Sequence, residues 1–104
     1  MFDFFKKLFG SKPQVSYKDL VAEGAQIVDV RTPAEYKGGH INRSVNIPLQ
    51  DLQKQLKKLD KNKVVITCCA SGMRSASAKS ILISNGFNTV YNGGAWSSLR
   101  NKIA

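Results

Sequence analysis

Val64-Val65-Ile66-Thr67-Cys68-Cys69-Ala70-Ser71-Gly72-Met73-Arg74-Ser75 decides how this 104-residue chain is read. Its first residues are apolar and mostly β-branched, which is the composition of a buried strand. The strand runs into the only two cysteines of the chain. A loop of small residues follows, Ala70-Ser71-Gly72, then Arg74, Ser75 and a helical pattern from Ala76 to Asn85. A strand, a short loop and a helix together aim backbone N–H groups at a point just beyond the strand end. A cysteine at that point lies in a positive local field. The field favours the thiolate, and the thiolate is the nucleophile.

Working outward, the chain has the size of one domain with one core. At 42% hydrophobic and 22% charged residues it belongs with folded chains and not with disordered ones. The net charge of +9 favours anionic partners, from small oxyanions to acidic proteins, without choosing among them. Adjacent cysteines make a poor disulfide, because the bridge needs a particular Cα separation and dihedral. Free thiols point to a reducing compartment, and the stretch 1–10 lacks the continuous apolar core of a signal peptide. No apolar run is long enough to cross a bilayer. The expected location is the cytoplasm.

The chain divides into a phenylalanine-rich segment with a linker, 1–14, and a domain, 15–104. Phe2, Phe5 and Phe9 fall near one helical face, before a linker-like Ser11-Lys12-Pro13-Gln14. Docking on the protein's own domain is the simpler reading of that face, and a membrane or partner anchor is the other. Ser16 caps a short helix, Tyr17–Glu23, with Asp19 as the weak return of a capping box. Ala25–Val30 reads as a strand. Thr32-Pro33-Ala34-Glu35 is a helix start: a Thr cap, a Pro in the first turn and a Glu three residues after the cap. Val45–Pro48 is a short extended piece. Leu49, Leu52, Leu56 and Leu59 recur at helical spacing, with Lys54, Lys57 and Lys58 between them, so one amphipathic helix is expected over Leu49–Leu59. A last strand is expected over Phe87–Tyr91, and Gly93-Gly94 opens a final helix with Trp96, Leu99 and Ile103 on one side. Strands alternating with helices predict an α/β domain: a small, mostly parallel sheet flanked by helices on both faces. Ligands of such sheets sit beyond the carboxyl ends of the strands, where the cysteine loop and Asp29-Val30-Arg31 both fall.

Three pieces together resemble the rhodanese family of sulfurtransferases. The first is Ile27-Val28-Asp29-Val30-Arg31-Thr32-Pro33-Ala34-Glu35-Tyr36, with Gly39-His40-Ile41 and Asn46-Ile47-Pro48 after it. The second is Cys69-Ala70-Ser71-Gly72-Met73-Arg74-Ser75, which fits the family's Cys-x-x-Gly-x-Arg loop. The third is Gly86-Phe87, Val90 and Gly93-Gly94-Ala95-Trp96. The resemblance runs from about Val15 to Leu99, in the family's order. It implies that Cys69 accepts a sulfur from thiosulfate or a persulfide and passes it to cyanide or a thiol. A sulfur-carrier protein is a further candidate partner. Ala70, Ser71, Gly72, Met73, Arg74 and Ser75 form the expected binding loop. No cofactor or metal is expected.

The residues support that chemistry independently. Loop amides can ring a thiolate, the helix start adds its dipole, and Arg74 adds a fixed charge. Small side chains at Ala70, Ser71 and Gly72 let the backbone close on the sulfur. Arg31 has two readings: a contact for the substrate anion, or a structural pair with Glu35, which is preferred. Asp29 braces the loop or ends a strand. His40 reads as structural and Trp96 as a core anchor. Arg43-Ser44 departs from the Gly-Ala pair common in the family. Cys68 also departs from it, and reads as a buried strand residue; a resolving thiol is the alternative.

Two other functions compete. Counted from Cys68, the spacing to Arg74 is Cys-x5-Arg, that of cysteine phosphatases and some arsenate reductases. Gly72 fits the rhodanese register instead, and no aspartate is obviously placed as a leaving-group acid. A non-catalytic binding module is the third reading, disfavoured by the intact Cys69 and Arg74. Nucleic-acid binding rests on net charge alone, since the basic residues are scattered and no recognition motif is present.

Overall fold

A computed structural model of the chain describes residues 15–104. The readings made for the segment 1–14 lie outside the described residues. The elements run α1 (Tyr17–Ala22), β1 (Gln26–Asp29), α2 (Pro33–Lys37), β2 (Val45–Asn46), α3 (Leu49–Leu52), a 3₁₀ turn (Leu56–Lys58), β3 (Val65–Cys69), α4 (Met73–Ser84), β4 (Val90–Ala95) and α5 (Trp96–Ile103). The four strands form one sheet in the order β2-β1-β3-β4. Every pairing is parallel. The two central strands, β1 and β3, bring Asp29 opposite Cys68 at their carboxyl ends.

The strands alternate, and the alternation builds two cores. Val28, Val65 and Cys69 point to one side, where Leu52, Leu59, Ala78, Leu82 and Phe87 from α3, α4 and their flanks cover them. Ile27, Ile66 and Cys68 point to the other, against Leu99 and Trp96 of α5 and Tyr17, Leu20 and Val21 of α1. Helices therefore close both faces, as expected of a parallel sheet.

Local signals explain the element starts. Ser16 Oγ accepts the Asp19 N–H at 3.2 Å, which is the forward half of a capping box. Thr32 and Glu35 form a complete box: Thr32 Oγ1 accepts the Glu35 N–H at 3.3 Å, and Glu35 Oε1 accepts the Thr32 N–H at 2.9 Å.

Three expectations need correction. The leucine segment is not one helix; it is α3 followed by a 3₁₀ turn. Its leucines pair at three-residue intervals, 49 with 52 and 56 with 59, which suits i→i+3 hydrogen bonds such as Gln55 N–H to Leu52 O at 3.0 Å. The helix after the cysteine loop starts at Met73 and not at Ala76, so Arg74 and Ser75 lie inside its first turn. The last strand is Val90–Ala95 and not Phe87–Tyr91, and it runs through the glycine pair. Gly93 is buried within it. A Cβ there would stand 2.8 Å from Thr67 O, 2.9 Å from Ile66 Cγ2 and 2.9 Å from Leu99 Cδ2, so β4 can lie against β3 and α5 only with glycine at this position.

Candidate active site

The site forms where β3 hands the chain to α4. Pairing of β3 with β4 shifts register between Thr67 and Cys69, where Cys69 meets Ala95. The strand thus extends through both cysteines, two residues beyond the Val64–Thr67 run that its apolar pattern marks. Ala70 and Ser71 then turn at the surface, and Gly72 takes φ 108°, a left-handed setting that favours glycine. With that turn, the Gly72 N–H points back at Cys69 Sγ, 2.9 Å away. The Ser75 N–H reaches the same sulfur at 3.3 Å. Ser75 is the third residue of α4, whose start has no side-chain cap from Gly72. The sulfur fills that role and accepts an N–H that the helix leaves unpaired. The start is tied to the sheet by Thr67 Oγ1, which donates to Ser75 O at 2.8 Å.

These contacts decide the charge on Cys69. Burial pushes its thiol pKa up, but the Ser75 hydroxyl and the N–H groups of Ser75, Gly72 and Ser71 outweigh burial and bring it below the ordinary value. Cys68 is the opposite case. It is fully buried in the other core, and burial first, then the nearby Asp29 carboxylate, push its thiol up to about 12. Neither cysteine is in a disulfide.

Arg74 stands one residue before Ser75 and reaches away from the sulfur to α2. Its two terminal nitrogens donate to the Glu35 carboxylate at 2.8 and 3.1 Å. Glu35 therefore serves twice, as the return arm of the Thr32 cap and as the partner of Arg74. The Arg74 guanidinium holds its carboxyl down at about 2, helped by the Thr32 N–H.

That geometry corrects the pairing expected for Arg31. Its side chain meets the Asp29 carboxylate through Nε at 2.9 Å and Nη2 at 2.8 Å. Glu35 offers it only a backbone carbonyl, 3.3 Å from Nη1, and Gly39 O accepts from Nη2 at 2.8 Å. The guanidinium is buried and stacks 4.6 Å from the centre of the Trp96 ring. Arg31 is thus held as a brace between β1, α2 and α5. Asp29 completes the brace by accepting the Arg31 N–H at 3.1 Å. His40 stacks on Tyr36, with ring centres 3.8 Å apart, and its Nδ1 lies 2.7 Å from Tyr36 O.

Beside the loop lies a cleft of about 250 Å³ lined by Val30, Thr32, Pro33, Pro48, Leu49, Gln50 and Arg74. Met73, at the first position of α4, is 78% exposed next to it in sequence. Sequence reasoning missed Asn92. Its Oδ1 lies 2.6 Å from Ser75 Oγ and accepts the Gly94 N–H at 2.9 Å. Asn92 lies within β4, paired with Thr67 of β3, and no signal in the sequence marks it.

The parallel α/β sheet thus delivers the Cys69 sulfur to the N–H groups of Gly72 and Ser75 at its carboxyl edge. The rhodanese-like domain family matches residues 13–99, and the chain belongs to that family. It is 40% identical over 68 residues to the uncharacterized protein YqhL of Bacillus subtilis, covering 65% of this chain and 54% of that one. It is 36% identical over 69 residues to the thiosulfate sulfurtransferase PspE of Escherichia coli, covering 64% of this chain and 66% of that one. The matches thus span between about half and two thirds of these relatives. Among solved structures, a rhodanese-related protein from Thermoplasma volcanium superposes with a TM-score of 0.71 at 33% identity, covering 86% of this chain and 91% of that one.

Proposed function

We propose that this chain is a sulfurtransferase that moves a sulfane sulfur from thiosulfate or a persulfide donor, by way of a Cys69 persulfide, to cyanide or a thiol. One observation carries the reading: Cys69 Sγ receives the N–H groups of Gly72 and Ser75, and its thiol is held below the ordinary pKa. The thiolate attacks the outer sulfur of thiosulfate. The S–S bond breaks, sulfite departs with the electron pair, and the enzyme holds Cys69–S–S⁻. Cyanide then attacks the terminal sulfur, thiocyanate leaves, and the Cys69 thiolate returns. No proton moves in either half, so no general base is needed. The amides of Ser71, Gly72 and Ser75 stabilise the sulfur anion. Ala70 and Met73 shape the rim, and Arg74 supplies the positive field for an anionic donor.

The catalytic unit is residues 15–104, with the segment 1–14 as an appendage. The two free cysteines suit a reducing, cytoplasmic setting. Among the described residues, no helix is long and apolar enough to cross a membrane. The Cys-x5-Arg register of a phosphatase would need the Cys68 sulfur at the loop, whereas it packs in the opposite core. Intact mass tests the proposal. Thiosulfate should add the mass of one sulfur atom and cyanide should remove it; a mass unchanged by thiosulfate and by small persulfide donors contradicts it.

A further inference from the structure

The Ser75 hydroxyl has one proton and three neighbours that compete for it. Asn92 Oδ1 is 2.6 Å away, Gly72 O is 3.1 Å away and Cys69 Sγ is 3.4 Å away. The Gly94 N–H fixes which end of the Asn92 amide faces Ser75, because it donates to the same Oδ1 at 2.9 Å. A carbonyl oxygen can only accept, so Ser75 must donate to it. With its proton spent there, Ser75 Oγ turns a lone pair toward the sulfur, and the thiol S–H donates to that lone pair.

We infer that Asn92 is a positioning residue that keeps the Ser75 hydroxyl proton away from Cys69 and so sets how readily the sulfur ionises. A thiol is a donor and a thiolate can only accept. When Cys69 ionises, Ser75 Oγ can donate to Sγ only by giving up its short bond to Asn92. Ionisation is thus coupled to a hydroxyl rotor, and Asn92 acts as a brake on the thiolate. The loop amides of Gly72 and Ser75 have no such alternative and stabilise the thiolate whichever way the hydroxyl points.

The other charged and titratable groups around Cys69 do not reach this rotor. On α4, Arg74 is turned to Glu35 of α2. In β3, Cys68 faces the opposite core, and beyond it the Asp29–Arg31 pair of the β1 end is closed on itself. On β4, Tyr91 packs edge-on against Tyr17 of α1. On α5, Arg100 lies over Trp96. Tyr17 Oη donates to the Asn92 main-chain carbonyl at 3.3 Å and leaves the side chain to Ser75 and Gly94.

The test is the pH dependence of Cys69 alkylation by iodoacetamide, read from the mass of its peptide, and it needs no sulfur transfer. It therefore stands or falls separately from the proposed reaction, although its use in catalysis rests on that reading. Asn92→Ala should lower the alkylation midpoint by roughly half a pH unit to one unit, since Ser75 is freed to donate to the thiolate. Asn92→Asp should raise it, through a tighter hold on the Ser75 proton and through its charge. In a Ser75→Ala background the effect of Asn92→Ala should vanish and that of Asn92→Asp should shrink to its charge alone. A midpoint that Asn92→Ala leaves unchanged or raises overturns the inference, as does an equal shift without Ser75. If Asn92→Ala does not fold, the isosteric Asn92→Asp decides: equal rises with and without Ser75 overturn it.

Discussion

Cys68 and Cys69 are consecutive residues of β3, yet their side chains lie in opposite cores of the sheet. One packs with Ile66 and Leu99, the other sits under the loop that caps it with amides. Strand alternation separates them, and separation gives them opposite chemistry. Cys68 is pushed up to about 12, so it stays a thiol throughout the physiological range. Cys69 is lowered, with its burial outweighed by Ser75, Gly72 and Ser71. At neutral pH, limiting iodoacetamide should therefore label Cys69 first and leave Cys68 untouched until the protein unfolds. Peptide mapping against pH should place the Cys69 midpoint below the ordinary thiol range. Equal labelling of both cysteines in folded protein would contradict this assignment.

The Arg74–Glu35 pair sets how much positive charge the loop shows an anion. Glu35 has a folded pKa lowered to about 2. A lowered carboxyl contributes its stability above its ordinary pKa, near 4.5, and loses it as pH falls toward about 2. The pair therefore persists across neutral pH. Glu35→Gln should keep the Thr32 cap through its amide oxygen and remove the negative charge. The apparent KM for thiosulfate should fall severalfold and rise more steeply with added salt than in the wild type. A KM that rises instead would show that the pair is needed to hold Arg74 in place.

Gly93→Ala tests the packing of β4. The new methyl would meet the Thr67 carbonyl, Ile66 and Leu99 at 2.8 to 2.9 Å, and a backbone carbonyl cannot move aside. Overpacking of this kind costs about 1–3 kcal/mol, so thermal unfolding should show a Tm lower by several degrees or more. An unchanged Tm would contradict this close approach of β4 to β3 and α5.

Arg43 offers the opposite sign. It is the one non-glycine described residue with positive φ, at 68°, and its side chain is exposed. The left-handed setting costs a residue with a Cβ about 1–2 kcal/mol, against about 0.5–1 kcal/mol of extra chain entropy lost by glycine. Arg43→Gly should raise stability by up to about 1 kcal/mol in urea unfolding. A loss of stability would show that the Arg43 side chain makes a contact that its exposure hides.

What was legible in the sequence followed local chemistry. The β-branched Val64–Thr67 run, the Thr32–Glu35 capping box and the stripe of Trp96, Leu99 and Ile103 each carry their own signal, and a strand, a cap and a helix formed there, although the strand runs on through both cysteines. The loop register was read from the fit of Gly72 to the family's Cys-x-x-Gly-x-Arg pattern, and Gly72 takes φ 108°, a setting that favours glycine. Long-range partners were not legible. Glu35 sits 39 residues from Arg74 and four from Arg31, so spacing suggested the wrong arginine. Asn92 lies 17 residues from Ser75, and no periodicity connects them. The start of α4 was set too late because Met73, Arg74 and Ser75 carry no apolar pattern, and the group that caps them is a sulfur from the preceding strand.

The central claim is that Cys69 carries the transferred sulfur, and one comparison tests it most directly. Wild type, Cys68→Ser and Cys69→Ser are each treated with thiosulfate, weighed intact, then assayed for thiocyanate formation from cyanide and for hydrolysis of an aryl phosphate. The account predicts that wild type and Cys68→Ser gain the mass of one sulfur atom and form thiocyanate, that Cys69→Ser does neither, and that none hydrolyses the phosphate. Loading and activity retained in Cys69→Ser but lost in Cys68→Ser, above all with phosphate turnover, would contradict it.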